Sequence, residues 1–513
     1  MVELMCVGVA LLACPVGVVI AVVVGRWSPD LVARAAALVT GIGWFAAVGL
    51  AVAASIPLMF GVLGESGVLS SIFTIDGLAV VMLLLVLGLS AVIQLFAVRY
   101  LRGDTRQLWF VVFANLLTGA TALMVCSGSV LSFCVAWIAA GISLMALLFT
   151  YPHLAQARDG VRRTAINIGI GDSILVIGLI AIVVVAGGDV RLSDVGSAVA
   201  GAPVWVGAVL AILLVVPAFA RSSQVPFHGW LPSTLATPTP VSALMHAGVV
   251  NAGAILILRF SPLIGASTLA MSLIFCAGVV TVVFASMVRM VKPDVKGRLV
   301  FSTMAQMGFM FLACGLGAYS AAVFHLVSHG LFKSALFLGA GSGVGREAKQ
   351  RLWPTRQIPH PVQAAAIILV AVIIPVAAIV TARTIFGLVL SPASQGLQLF
   401  VVFTAGIALG TALWTHFTAA TAIVGAVVIT AVAFGYSAIV TGFDTVLNLG
   451  TPVGAVDAVW LVVPGSALLA LQILGAGIGR GATSWLYTAA LAVGTPAGAA
   501  SKQSLTIQRG STP

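Results

Sequence analysis

The sequence contains very little charge. Only 7% of its 513 residues are Asp, Glu, Lys or Arg, whereas 61% are hydrophobic. Charged residues make up about a quarter of a soluble globular domain, so this composition excludes that class. Apolar stretches recur along the whole chain, each about as long as the 20 residues with which a helix crosses a bilayer. The sequence therefore predicts an all-α polytopic membrane protein.

Motifs for cofactors are also missing. The six cysteines stand singly in apolar segments and form no Cys-x-x-Cys pair, so the spacing of an iron–sulfur site is absent. The sequence has no glycine-rich nucleotide loop either. We therefore expect no cofactor in this chain and no enzymatic reaction carried out by it. The net charge of +11 is expected to reflect basic cytoplasmic loops, not binding of nucleic acid.

The apolar segments predict about fifteen transmembrane helices. The first has no basic segment before it and no cleavage site, so we expect a retained helix and not a signal peptide. The predicted spans are 4–25, 33–63, 72–98, 107–127, 129–151, 162–187, 203–231, 239–261, 264–289, 298–317, 319–342, 361–390, 398–418, 420–441 and 457–478. We group them as an N-terminal three-helix segment, a first repeat, a second repeat, and C-terminal helices with a cytoplasmic tail: 1–106, 107–261, 264–418 and 420–513.

The loops between these spans alternate in charge. Those after spans 1, 3, 5, 9 and 11 carry most of the basic residues, whereas the loops after even-numbered spans carry carboxylates such as Glu65, Asp189 and Asp444. Basic loops remain on the cytoplasmic side of the membrane. The sequence therefore predicts an inner-membrane protein whose N-terminus lies outside and whose C-terminus is cytoplasmic.

Two spans, five positions apart, combine prolines with an arginine at membrane depth. Arg221 lies in the first and Arg383 in the second, and prolines flank both: Pro217, Pro226, Pro232, Pro375 and Pro392. Proline removes a backbone donor, and irregular backbone persists in a membrane only where it is buried or lines a wet cavity. We therefore predict a broken helix in each span, within two inverted repeats of five helices.

Three titratable side chains lie in one apolar span. His325, His329 and Lys333 follow the spacing i, i+4 and i+8, which places them on one face of a helix. Ionisable groups at bilayer depth are costly and by default mark an ion or proton path. The alternatives are satisfied core histidines, a lysine that extends to an interface, and a metal site, for which no third ligand is evident. We interpret the three residues as the centre of a proton path.

Two further ionisable residues lie within predicted spans. His246 is two turns into span 8, and Asp172 is about a third of the way into span 6. Because both are far from the nearest loop, we add them to the proton path. Arg221 and Arg383 are expected to act as fixed positive charges at the broken helices, since arginine essentially never loses its proton.

Several motifs resemble those of a known family. The segments SSQVPFHGWLPSTLATPTPVSALMHAGVVNAGA (222–254) and VFHLVSHGLFKSALFLGAGS (323–342) resemble the signatures of the antiporter-like subunits of respiratory complex I and of Mrp-type sodium/proton antiporters. FTIDGLAVVM (73–82) and YLRGD (100–104) are similar to that family's early helices. The resemblance implies the family's membrane fold and proton conduction through its buried charged residues.

Within this family, the chain resembles the DabB type most, because of the run PTPVSALMHA and because no long lateral helix is evident after residue 480. DabB-type chains are the membrane subunits of the two-component DabA–DabB system for uptake of inorganic carbon (CO2 or bicarbonate). This resemblance implies a proton-driven role beside a DabA-like cytoplasmic partner that holds zinc. The wider family leaves two alternatives, a proton-pumping subunit of a complex I-like or membrane hydrogenase complex, and a component of an Mrp-type cation/proton antiporter.

The sequence departs from the family's pattern at both ends of the path. The family has a glutamate after the tryptophan of span 5, whereas Trp137 is followed by Ile138. Arg221 and Arg383 stand at or near the family's lysines in spans 7 and 12. The remaining path residues match the family: Asp172, His246, His325, His329 and Lys333. The resemblance thus implies a path altered at its ends, which suits inward proton flow better than outward pumping.

Overall fold

The computed structural model of the chain describes residues 2–25, 28–54, 72–340, 361–386, 392–415, 417–447, 449–450, 452–476 and 484–494. Nearly all of them are helical, and no strand longer than an isolated bridge occurs in these ranges. The predicted all-α fold is therefore confirmed.

The helices are labelled here in chain order. They are α1 (Val2–Val24), α2 (Pro29–Ala54), α3 (Gly77–Tyr100), α4 (Gln107–Val125), α5 (Val130–Leu148), α6 (Ala155–Ala186), α7 (Val204–Arg221), α8 (Thr239–Ala247), α9 (Ala252–Arg259), α10 (Thr268–Val291), α11 (Val295–Gly315), α12 (Tyr319–Leu338), α13 (Pro361–Phe386), α14 (Pro392–Thr415), α15 (Ala419–Leu447), α16 (Val462–Ala476) and α17 (Ser484–Gly494). Short helical turns at Val195–Val199 and Ser261–Ile264 lie between them.

The polytopic organisation is confirmed, but the count of fifteen spans is not. Within the described ranges, 13 helices are long and apolar enough to cross a membrane, with α8 and α9 counted together as one of them. The two remaining predicted spans, 398–418 and 457–478, coincide with shorter apolar stretches at Ala405–Trp414 and Ala458–Leu471.

The first predicted break is confirmed. Helix α7 ends at Arg221, and a 3-10 segment, Phe227–Thr234, follows after a short turn. The indole N–H of Trp230 donates to the Ala220 carbonyl at 2.9 Å, which satisfies an acceptor that the end of the helix leaves free. Span 8 is interrupted as well: a 3-10 turn at Val249–Asn251 separates α8 from α9, which the continuous apolar pattern did not predict.

The second predicted break, around Arg383, is wrong for the residues that the structure describes. Helix α13 runs continuously from Pro361 to Phe386 with Pro375 inside it, because one proline removes only one donor from the helical ladder. Pro392 is the first residue of α14, a position where the missing N–H costs nothing. The division into two inverted repeats stays a prediction.

Contacts between loops agree with the predicted alternation of loops between the two sides of the membrane. The Tyr151 hydroxyl, after α5, donates to the Asp104 carboxylate, after α3, at 2.5 Å. Burial, together with this hydrogen bond, raises the pKa of Tyr151 and keeps it a donor. In the same way, the Val130 amide, after α4, donates to the Val190 carbonyl, after α6, at 3.0 Å. Loops two spans apart therefore meet, as loops on one side of a membrane must.

The packing core runs continuously from α1 through α12, and α13–α15 form smaller apolar clusters beside it. Helices α10 and α11 approach each other closely along their backbones. A Cβ placed on Gly278 would lie 2.7 Å from the Gly308 carbonyl oxygen, so only glycine fits there. This contact holds α11 in the position from which it packs against α12.

Replacing Gly278 with alanine is expected to lower the free energy of unfolding by about 1–3 kcal/mol, because the added methyl group meets backbone and forces α10 and α11 apart. Gly169, in α6, is the matched control, since a Cβ there meets nothing within 4 Å. Thermal unfolding in detergent measures the stability of both purified variants. A Gly278→Ala variant as stable as Gly169→Ala would contradict the close contact.

Candidate functional site

The three predicted residues of span 11 all lie on helix α12. His329 and Lys333 are buried, with exposed fractions of 4% and 2%, and His325 is half-buried. The rings of His325 and His329 are nearly parallel, with centroids 6.1 Å apart. The structure thus places the three groups in sequence along one buried face, over about two helical turns.

His246 joins this face from the neighbouring helix α8. Its imidazole is 1% exposed and stacks on Phe337, one turn beyond Lys333, with ring centroids 4.4 Å apart. The close approach of α8 to α12 depends on Gly330, where a Cβ would lie 3.1 Å from the Ala247 carbonyl oxygen. The four titratable side chains therefore form a row on α12 and its neighbours, with α8 at the Lys333 end and α11 beside His325 and Lys333: His246, His325, His329 and Lys333.

Most of the polar atoms in this row have no partner among the described residues. Nδ1 of His246, Nε2 of His325 and both ring nitrogens of His329 are buried without a hydrogen bond to any described residue. Lys333 differs, because its ammonium group donates to the Ser302 hydroxyl of α11. Buried polar atoms are normally paired, so this cluster of unpaired nitrogens is available to bridging water and to protons.

Asp172 and Arg221 pair with each other in a separate site, where only Nη1 of Arg221 lacks a hydrogen bond to a described residue. A salt bridge of 2.8 Å joins the Arg221 Nη2 to the Asp172 carboxylate. Trp137 contributes twice: its indole N–H donates to Asp172 at 2.7 Å, and its ring lies 4.6 Å from the guanidinium carbon. Arg221 also donates to the Trp137 carbonyl at 3.2 Å. Asp172 therefore does not lie in the histidine–lysine row but neutralises the arginine at the end of α7.

Gly141 makes room for this pair. A Cβ on Gly141 would lie 2.6 Å from the Arg221 Nη2 and 3.2 Å from the Asp172 carboxylate. The longer side chain of arginine, where the resemblance implies lysine, is accommodated because α5 presents no side chain at that position. Ile138 follows Trp137 directly and packs against the apolar core.

Arg383 lies apart from any broken helix, whereas Arg259 forms a buried ion pair. Arg383 is half-buried in the last turn of α13, away from any break that the structure describes. Arg259, which was not among the predicted site residues, is the last residue of α9 and pairs with Asp76 at 2.6 Å. The same Asp76 side chain caps the start of α3. The signal for Arg259 in the sequence is one arginine in the apolar run AGAILILRF.

The described part of the chain contains no group of three or more His, Cys, Asp or Glu side chains placed to hold one metal ion. The histidines of the row are two on α12 and one on α8, with Lys333 as their neighbour and no carboxylate among them.

Comparison with known proteins identifies the family. Residues 127–379 match the family model described as NADH:quinone oxidoreductase/Mrp antiporter, TM, and residues 67–111 match that of NADH-ubiquinone oxidoreductase (complex I), chain 5 N-terminus. Together the matched segments cover more than half of the chain. They include Asp172, Arg221 and the four residues of the row.

Similar curated proteins fall into two groups. The probable inorganic carbon transporter subunit DabB1 of Halothiobacillus neapolitanus is 37% identical over 282 residues, which is 54% of this chain and 50% of that protein. NADH-ubiquinone oxidoreductase chain 5 of Cryphonectria parasitica is 37% identical over 272 residues, 53% of this chain and 41% of that protein. The chain thus spans about half the length of the curated relatives that it matches.

Solved structures support the fold. The Mrp complex from Dietzia matches with a TM-score of 0.56 and 24% identity, over 96% of this chain and 52% of that one. The membrane-bound sulfane sulfur reductase, an archaeal respiratory complex, matches with a TM-score of 0.59 and 16% identity, over 95% and 96% of the two chains.

The sequence resemblance, the two family models and the shared fold agree, and this chain belongs to the antiporter-like membrane-subunit family of NADH:quinone oxidoreductases and Mrp antiporters.

Proposed function

We propose that this chain is a proton-conducting subunit of the inner membrane that couples the proton motive force to uptake of inorganic carbon by a cytoplasmic partner. The observation that carries the proposal is the row of His246, His325, His329 and Lys333 around α12, in which all three histidines have nitrogens without a partner among the described residues. Each of these side chains can take up and release a proton, and unpaired ionisable groups are retained in a membrane where they have a function.

The distances within the row require water. The ring centroids of His325 and His329 are 6.1 Å apart, too far for a direct hydrogen bond in this arrangement. One bridging water between neighbouring groups can pass a proton along, because water donates and accepts at once. Lys333, held by Ser302, forms the end of the row nearest to Phe337 and His246.

Arg221 and Asp172 act in this proposal as a fixed pair beside the broken helix. Arginine does not release its proton at physiological pH, so Arg221 cannot hand protons on as a lysine could. The pair carries no net charge, and Trp137 fixes its geometry from both sides. We assign to it the positioning of α7 against α5 and α6, and to Arg383 a fixed positive charge in α13.

The carbon-uptake role is supported by similarity to DabB subunits and by the altered ends of the path. A proton that moves inward releases about 2.3 kcal/mol per 100 mV of membrane potential, which can bias a conformational cycle in a partner. The partner would be a DabA-like protein that holds zinc and hydrates CO2, so this chain itself would catalyse nothing. Its N-terminus would lie outside and its C-terminus inside, which thiol labelling from either side of the membrane tests.

The similarity to complex I chain 5 favours a second candidate, a proton-pumping subunit of a complex I-like assembly; an Mrp-type antiporter component belongs to the same group. Both would place the chain in a multi-subunit membrane complex. Purification of the tagged chain from its native host distinguishes these candidates: one soluble zinc-bearing partner supports carbon uptake, and several membrane or redox subunits support the alternatives.

Expression of this chain with its genomic neighbour in a host that lacks carbonic anhydrase is expected to restore growth in air. His329→Ala and Lys333→Ala are expected to abolish the rescue, because each removes a proton-carrying group from the row. Colony growth at ambient CO2, at equal membrane abundance of each variant, is the measurement.

His153→Ala is the matched control, since His153 is exposed in the loop before α6 and lies outside the row; it should rescue fully. Rescue that survives both His329→Ala and Lys333→Ala would contradict conduction through the row. Failure of the wild-type pair to rescue would contradict the carbon-uptake assignment and favour the redox or antiporter assemblies.

Asp172→Asn is expected to reduce the free energy of unfolding by about 3–5 kcal/mol, because it leaves the Arg221 charge buried without a partner. Asp159→Asn, on the same helix, removes a carboxylate from a surface pair with Arg163 and should cost less than about 1 kcal/mol. Thermal unfolding in detergent compares the two variants. Equal losses would show that the Asp172–Arg221 pair does not hold α6 and α7 together.

A further inference from the structure

A cavity of about 30 Å³ lies beside the interruption of span 8. Apolar side chains of α3, α4 and α8, with Leu326 of α12, form most of its wall, and its polar lining consists of Thr118, Thr121 and Asn251. A cavity of more than about 10–15 Å³ can admit a water molecule when polar groups line it. This cavity meets both conditions.

Asn251 presents an unpaired acceptor at the cavity. The side chain is 2% exposed and lies in the 3-10 turn between α8 and α9. Its Nδ2 donates to the Ala247 carbonyl at 2.8 Å, while its Oδ1 has no hydrogen-bond partner among the described residues. Ordered water is the usual partner of a buried polar atom that the protein leaves unpaired.

Thr118 offers a second acceptor on another part of the wall. Its hydroxyl donates to the Ala114 carbonyl at 2.7 Å and lies 2.6 Å from the hydroxyl of Ser90. With its own proton used in this way, Thr118 has two lone pairs, one for the Ser90 hydroxyl and one for a donor in the cavity. Water in the cavity can therefore donate to Thr118 and to Asn251.

Behind Thr118 lies a buried cluster of uncharged polar side chains. Gln94 donates to Ser90 at 3.0 Å and to Thr40 at 3.2 Å, Asn115 donates to Gln94 at 2.9 Å, and Thr40 lies 3.1 Å from Asn115. This neutral cluster, made of Thr40, Ser90, Gln94, Asn115 and Thr118, connects α2, α3 and α4. All five side chains are buried.

We infer that the cavity is a binding site for ordered water, held by Asn251 and Thr118, and that this water connects the neutral cluster to the interruption of span 8, five residues after His246. The water site depends on the local contacts alone. Its second role rests on the proposed function: the connection gives the histidine–lysine row a side branch of hydrogen bonds through α2, α3 and α4.

Hydroxyl-radical footprinting by synchrotron radiolysis, with mass spectrometry, tests the water site in the full chain in nanodiscs, because bound water is activated and oxidises the side chains beside it. Met82 lines the cavity and is fully buried; Met271 is equally buried in α10 and lies outside the cavity. Met82 should be oxidised several-fold faster than Met271. Asn251→Leu should remove this difference, while Ser143→Ala, a buried serine of α5 outside the cavity, should leave it unchanged.

Equal oxidation of the two methionines in the wild type, or a Met82 rate unaffected by Asn251→Leu, would overturn the water site. Proton flux into vesicles tests the branch: Asn251→Leu and Thr118→Val should each lower it several-fold relative to Ser143→Ala. Unchanged flux with a lost water signal would overturn the branch. Absence of flux in the wild type would contradict the proposed function instead, and Met82 oxidation would still decide the water site.

Discussion

Polar groups within a bilayer have no surrounding water to satisfy them, and this constraint determines where charge occurs in this structure. Backbone polar groups are satisfied within helices. The buried arginines that the structure describes each face a carboxylate, Arg221 with Asp172 and Arg259 with Asp76. Charges that cannot be lost are thus paired, and their pairs hold the ends of α7 and α9, on either side of the irregular backbone between these helices.

The residues that can change their charge are arranged in the opposite way. Within the part of the chain that the structure describes, His246, His325 and His329 carry unpaired nitrogens, and Lys333 has a hydroxyl, not a carboxylate, as its partner. A carboxylate beside any of them would stabilise its charged form, and no carboxylate forms an ion pair with these groups in the described part of the chain. The paired arginines therefore form a region of fixed charge, and the histidine–lysine row forms a region that can carry protons.

The irregular backbone positions residues of both regions. The end of α7 places Arg221 on Asp172, and the interruption of span 8 places His246 against α12 and Asn251 at the cavity. Each interruption frees backbone and side-chain polar atoms that a continuous helix would not offer. Packing around them is close, as Gly141 and Gly330 show, so the positions of these groups are defined by contacts with neighbouring helices.

Much of the central arrangement could be predicted from sequence, because helix geometry alone places residues 325, 329 and 333 on one face. The break after Arg221 was also predictable from clustered prolines. The Arg221–Asp172 and Arg259–Asp76 pairs were not, since they join residues 49 and 183 positions apart. The predicted break at Arg383 was wrong because the effect of a proline depends on its position: Pro375 is tolerated inside a helix, and Pro392 begins one.

Measurement of proton flux shows whether protons pass through the histidine–lysine row. The chain, co-purified with its partner, would be reconstituted in liposomes, and a potassium diffusion potential would drive protons toward an internal pH-sensitive dye. Lys333→Arg keeps the positive charge but cannot release its proton, so the wild type should conduct protons and this variant should not. Arg102→Ala, on the surface, should conduct normally. Equal flux in Lys333→Arg and the wild type would contradict proton conduction through the histidine–lysine row.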